Sequence, residues 1–80
     1  MNAVDRLLSL SFADLVVSKT IYGTITVHYQ SAYIKDDGLL IGTFGAGGTF
    51  EEACENYLQK ISGKTLVFDY PGHRKEVTVL

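Results

Sequence analysis

Apolar and polar positions alternate with a helical period over residues 49–62. Phe50, Ala53, Cys54, Tyr57, Leu58 and Ile61 fall at i, i+3, i+4, i+7, i+8 and i+11. That spacing makes one apolar face on a helix of three to four turns. Both ends carry signals. Thr49 and Glu52 stand three apart, as a capping box requires. Gly63 sits where a left-handed residue closes a helix. The pattern predicts one main helix over about residues 49–62.

The rest of the chain reads mostly with period 2. Residues 1–10 are the exception and predict a short helix, with Asn2 as cap and Val4, Leu7 and Leu8 on one face. Residues 11–19 fit either a helical turn or the start of a strand. Residues 20–29 are rich in β-branched and aromatic side chains, which favour strands. Alternation puts Ile21, Gly23, Ile25, Val27 and Tyr29 on one side, and Tyr22, Thr24, Thr26 and His28 on the other. Residues 32–35 continue in the same composition, so residues 20–35 make one bulged strand or two. Asp36-Asp37-Gly38 marks a hairpin turn, and residues 39–44 return. Gly45-Ala46-Gly47-Gly48 then joins this strand to the main helix, and its glycines permit positive φ. After Gly63, residues 65–70 read as a strand with Leu66 and Phe68 inward. Pro71-Gly72 has the order of a type II turn, and residues 75–80 pair back with Val77 and Val79 inward. The expected fold is α+β: a short N-terminal helix, then an antiparallel sheet of four to five strands with the main helix packed on one face.

Length and charge narrow the function. Eighty residues make a single domain, 1–80. A chain of this size buries roughly 60–65% of its unfolded surface, which leaves little room for an enclosed enzyme pocket. The net charge is −2, with nine acidic residues scattered along the chain. A dedicated nucleic-acid binder carries a basic excess, so that class is disfavoured. The single cysteine, Cys54, excludes an internal disulfide. No apolar run reaches 18 residues and no cleavage site follows a basic start, so a cytoplasmic protein without a membrane span is expected.

Each candidate for chemistry is weak. The joint from Gly42 to Gly48 runs from a strand into a helix N-terminus, a place where phosphates bind. A dinucleotide fingerprint would need glycine where Phe50 stands, and a P-loop would need a lysine. Glu51 and Glu52 already occupy the positive end of the helix dipole. Cys54 lies on the apolar stripe and reads as a core thiol. His28 and His73 belong to no catalytic or metal-ligand spacing. No catalytic residue, metal or cofactor is expected, and the chain reads as a non-enzyme.

Two surfaces remain. The outer sheet face carries Tyr22, Thr24, Thr26, His28 and Tyr33. Tyrosines on an exposed face suit protein recognition. Lys64, His73, Arg74 and Lys75 could form a small basic spot at the last hairpin, able to touch phosphate.

The segment Gly48-Thr49-Phe50-Glu51-Glu52-Ala53, with Asn56, resembles HicB-type antitoxin domains. In that family a three-stranded sheet leads through such a joint into a helix packed on it. The similarity spans residues 43–61, and the family's proline-containing turn ahead of the joint is absent here. In size and style the chain also resembles small phage and mobile-element accessory proteins, including anti-CRISPR inhibitors. The expected function is a non-enzymatic protein-binding or inhibitor module that occludes a partner surface, such as that of a host-defence complex. An antitoxin or a weak nucleic-acid binder is the alternative, and a homodimer is a further use of the same face or of an edge strand.

Overall fold

The computed structural model describes residues 2–80. Helix α1 (Ala3–Leu8) is followed by β1 (Leu15–Lys19), β2 (Ile25–Tyr29), β3 (Ala32–Asp36), β4 (Leu39–Ile41) and β5 (Gly45–Gly47). Helix α2 (Phe50–Ile61) comes next, then β6 (Thr65–Tyr70) and β7 (His73–Thr78). The α+β class is as expected. The strands divide between two antiparallel sheets, one in the order β1-β2-β5 and the other β4-β3-β6-β7. Residues 11–19 resolve as a turn leading into β1.

Residues 20–35 depart most from the sequence pattern. Residues 20–24 form the turn of the β1–β2 hairpin rather than strand. The Thr20 hydroxyl accepts from the Tyr22 and Thr24 N–H groups at 3.3 and 3.2 Å. The Thr20 N–H donates to Thr24 at 2.8 Å, and Gly23 takes φ +86°. Beyond β2 the chain breaks at Gln30-Ser31, where Ser31 adopts φ 59°. β2 and β3 do not pair; they belong to different sheets.

The two other hairpins follow their local signals. Asp37 and Gly38 have φ 49° and 83°, the two left-handed residues of a type I′ turn. Gly72 has φ 87° after Pro71, as a type II turn requires. At α2, the Thr49 hydroxyl accepts from the Glu52 N–H at 3.1 Å. Among the described residues this is the only arm of the capping box that forms.

The glycine-rich joint is a strand over Gly45–Gly47, and Gly45 and Gly47 serve close packing. None of Gly45, Gly47 and Gly48 has a positive φ. Instead β5 lies hard against α2. A Cβ on Gly45 would overlap the Ala53 carbonyl oxygen and the Tyr57 backbone nitrogen, and one on Gly47 would come within 2.8 Å of the Ala53 nitrogen. Helix side chains then bind the strand: Asn56 Nδ2 donates to the Ala46 carbonyl at 2.6 Å and Lys60 Nζ to the Phe44 carbonyl at 2.8 Å. The spacing matches, because four helical residues rise about 6 Å and two strand residues about 6.8 Å.

The core lies beneath α1 and α2. Leu7, Val27, Tyr29, Ala53, Cys54, Tyr57, Ile61, Leu66 and Phe68 are its buried residues. Aromatic rings bridge the sheets within it. Tyr29 of β2 stands edge-on to Tyr57 of α2 and tilted against Phe68 of β6, both at 5.6 Å between centroids. Phe12 meets Phe68 edge-on at 5.1 Å. The Tyr29 hydroxyl donates to the Leu7 carbonyl at 2.6 Å, and the Tyr29 N–H donates to the Tyr57 hydroxyl at 3.1 Å. Among the described residues, every buried side-chain polar atom has a partner.

Two consequences can be measured. Gly45→Ala forces the helix off the strand and should destabilise the fold by about 2 kcal/mol or more, whereas Gly48→Ala meets open space and should shift it by about 0.5 kcal/mol or less. Urea denaturation of the two variants checks the contrast. Burial raises the Tyr29, Tyr57 and Cys54 ionisations above their ordinary values. The folded state therefore keeps protons that the unfolded chain releases, so stability is full below about pH 8.5 and falls as pH climbs through about 10 and beyond. Urea midpoints from neutral to alkaline pH should decline in that window, and a flat profile contradicts the assignment.

Candidate functional site

The chain passes from the first sheet to the second at residues 30–31 and returns at residues 42–44. Residues of both sheets and both crossovers line an opening between them. The opening is a cleft of about 390 Å³. Thr26 and His28 of β2 form one wall, Tyr33 of β3 another, and Gly42, Thr43 and Phe44 the third. Tyr29, Ser31 and Ala32 complete the lining.

Each wall has a local cause. Thr26 and His28 point outward because Val27 and Tyr29 take the core positions of β2. His28 Nδ1 lies 2.9 Å from the Tyr29 carbonyl. A carbonyl only accepts, so Nδ1 carries a proton and donates to it. Gly42 faces the Tyr33 ring, whose edge would lie in ordinary contact, 4.0 Å, from a Cβ there. Phe44 is held by Lys60, which bonds its carbonyl and sits 5.2 Å from its ring centroid. The cleft wall is thus fastened to α2.

Of the five residues expected on the outer face, Thr26, His28 and Tyr33 come together in this cleft. Tyr22 and Thr24 do not, because they belong to the hairpin turn. Tyr22 and its neighbour Ile21 are 88% and 93% exposed at the tip. Ile21 was expected on the buried side of a strand; the turn puts it outside. Alternation alone could not find Ser31, Gly42, Thr43 and Phe44, since they reach the cleft through the crossovers.

The expected basic spot does not assemble as one patch. Lys64 precedes β6, whereas His73, Arg74 and Lys75 follow the turn at its far end. The length of β6 separates them, roughly 20 Å at strand rise. Arg74 faces outward opposite Asp69, while Lys75 turns to the other face and lies 4.0 Å above the Phe12 ring. His73 stacks obliquely on Tyr70 at 5.6 Å. Val67, also on the outer face, is fully buried between Tyr33 and Glu76. Lys35 reaches across β6 to Glu76 at 3.2 Å. Both partners are exposed, so the pair adds about 0–1 kcal/mol.

Cys54 is buried in the core, as its place on the apolar stripe implies. Burial, with Glu51 nearby, raises its ionisation and disfavours the thiolate. Among the described residues no group of three or more His, Cys, Asp or Glu is placed to hold a metal, and no helix is long and apolar enough to cross a membrane. The residues behind the HicB-type resemblance have structural work here: Thr49 caps α2 and Asn56 ties it to β5. No protein-family model, curated protein or solved structure matches the chain.

The Cys54 environment sets a clear expectation. A maleimide or disulfide reagent should label the native protein only at the rate at which it opens, and should label it at once in denaturant. Fast native labelling would show a reactive, accessible thiol.

Proposed function

We propose that this protein is a non-enzymatic binding module that occludes a surface of a protein partner. It holds that surface through the Ile21-Tyr22 tip and the cleft of Thr26, His28, Tyr33 and Phe44. The finer form of the proposal is an inhibitor of a larger assembly, in the manner of phage and mobile-element accessory proteins.

The observation that carries the reading is the hairpin tip. Two adjacent large apolar side chains stand almost fully in water on a turn fixed by four hydrogen bonds around Thr20. Turn tips usually carry Gly, Asn, Asp or Ser for their backbone needs. Here Thr20 and Gly23 meet those needs, which frees positions 21 and 22. A preorganised aromatic and aliphatic pair is the anchor that binding interfaces use, because little entropy is lost on docking. β2 runs from the tip along the cleft wall at Thr26 and His28, so tip and cleft lie within the length of one strand, about 17 Å, and within the span of one standard interface.

The test pairs Tyr22→Ala with Tyr33→Ala and measures capture of the native partner from the source organism. Affinity should fall roughly 30-fold or more, the effect of losing one hot-spot residue, with circular dichroism unchanged. Unchanged capture by a folded double variant removes this surface from the function. Retardation of nucleic acid at low salt, lost in the Arg74→Ala, Lys75→Ala double variant, would support the basic hairpin instead.

A further inference from the structure

The second sheet has two edges of opposite character. β7 carries His73, Arg74, Lys75 and Glu76 in succession, the charges that keep an edge from pairing with another chain. β4 carries Leu39, Leu40 and Ile41, all exposed, with Leu39 at 67%. It has no charge, no proline and no bulge, and among the described residues no strand pairs with its free side. Such an edge is a template for another strand.

We propose that β4 is the seam of a homodimer, in which two copies pair antiparallel along Leu39–Ile41 and join their four-stranded sheets into one of eight. The sequence of the segment selects a second copy as the occupant. Gly38-Leu39-Leu40-Ile41-Gly42 reads nearly the same in both directions. A two-fold axis at Leu40 therefore places Leu40 against Leu40, Leu39 against Ile41 and Gly38 against Gly42. An isologous contact needs this self-complementarity, and a foreign strand does not. Electrostatics agree. The same register sets Asp37 opposite Thr43, so no like charges face each other across the seam.

Area sets the strength. Leu39, Leu40 and Ile41, with Tyr33 and Phe44 alongside, expose on the order of 400–500 Å² per copy, against about 800 Å² per partner in a standard interface. The backbone hydrogen bonds of the new ladder supply the rest. The dimer is accordingly a weak one whose population follows concentration. The seam borders Tyr33 and Phe44 of the proposed partner cleft but not the Ile21-Tyr22 tip. Tyr22→Ala alone therefore probes partner binding without touching the seam, and Leu40→Lys probes the seam without touching the tip.

Sedimentation velocity from about 10 μM to about 1 mM spans the range in which so small an interface associates. The wild-type protein should shift from monomer to dimer across it. Leu40→Lys opposes two ammonium groups on the axis and should weaken association roughly tenfold or more. Because Leu40 is exposed, the variant should keep its circular dichroism spectrum. A second variant guards against misfolding. Leu40→Cys under a mild thiol oxidant should cross-link into a covalent dimer, whereas Ser18→Cys, on the edge of the first sheet, should not. The proposal is overturned by a wild-type monomer at every concentration, by a dimer that Leu40→Lys leaves intact, or by equal cross-linking at positions 18 and 40.

Discussion

Tyr29 is the point at which the parts of this protein meet. Its hydroxyl binds the last turn of α1, its backbone N–H binds the hydroxyl of Tyr57 on α2, and its ring packs on Tyr57 and on Phe68 of the second sheet. Each buried aromatic contact contributes about 0.5–1.5 kcal/mol beyond area burial, and each hydrogen bond about 1 kcal/mol net. An 80-residue domain has a total stability of about 4–12 kcal/mol, at roughly 0.05–0.15 kcal/mol per residue. One side chain thus engages a large part of the margin. Its polar atoms must also find partners, because an unpaired buried group costs about 1–3 kcal/mol. The junction is therefore specific in orientation as well as apolar.

From that junction the position of the cleft follows. Tyr29 ends β2 with its ring in the core, so the chain must turn outward at once. The left-handed Ser31 makes the turn and sends β3 into the second sheet. The return path is tied down separately. Gly45 and Gly47 let α2 approach the β5 backbone, and Asn56 and Lys60 hold the Ala46 and Phe44 carbonyls. The two crossovers fixed in this way carry Ser31, Gly42, Thr43 and Phe44 to the cleft. The helix braces the cleft from behind without entering it.

Legibility in the sequence tracks the range of the forces involved. α2 was readable because its period, its Thr49 cap and Gly63 are all local. The same holds for the Asp37-Gly38 and Pro71-Gly72 turns. The hairpin at residues 20–24 was not readable. Thr20, Ile21 and Tyr22 have strand composition, and the turn depends on a threonine hydroxyl that accepts two N–H groups. β5 was missed because Gly-Ala-Gly has no strand propensity; pairing with β2 and contact with α2 impose its form. The division into two sheets rests on pairings such as Ala32 with Phe68, far apart in sequence. For the site, alternation correctly put Thr26, His28 and Tyr33 on the outer face. It could not bring residues 42–44 beside them, nor separate Lys64 from Arg74.

The distribution of exposed apolar residues follows from this economy. A small domain cannot hide all its large side chains, and scattered ones need no explanation. Leu8, Val17 and Leu80 are of that scattered kind, but two groups are not. Val67 shows that the outer face can be sealed, since Tyr33, Lys35 and Glu76 cover it. β7 shows that an edge can be blunted with charge. The same chain leaves Ile21 and Tyr22 on a rigid tip and Leu39–Ile41 on a bare edge. Neither group touches the Tyr29 junction, so neither contributes to the core, while both raise the risk of aggregation. Solvation does not favour them, and folding covers Leu40 and Ile41 only in part, through pairing with β3. The proposed contacts with other molecules would offset that cost.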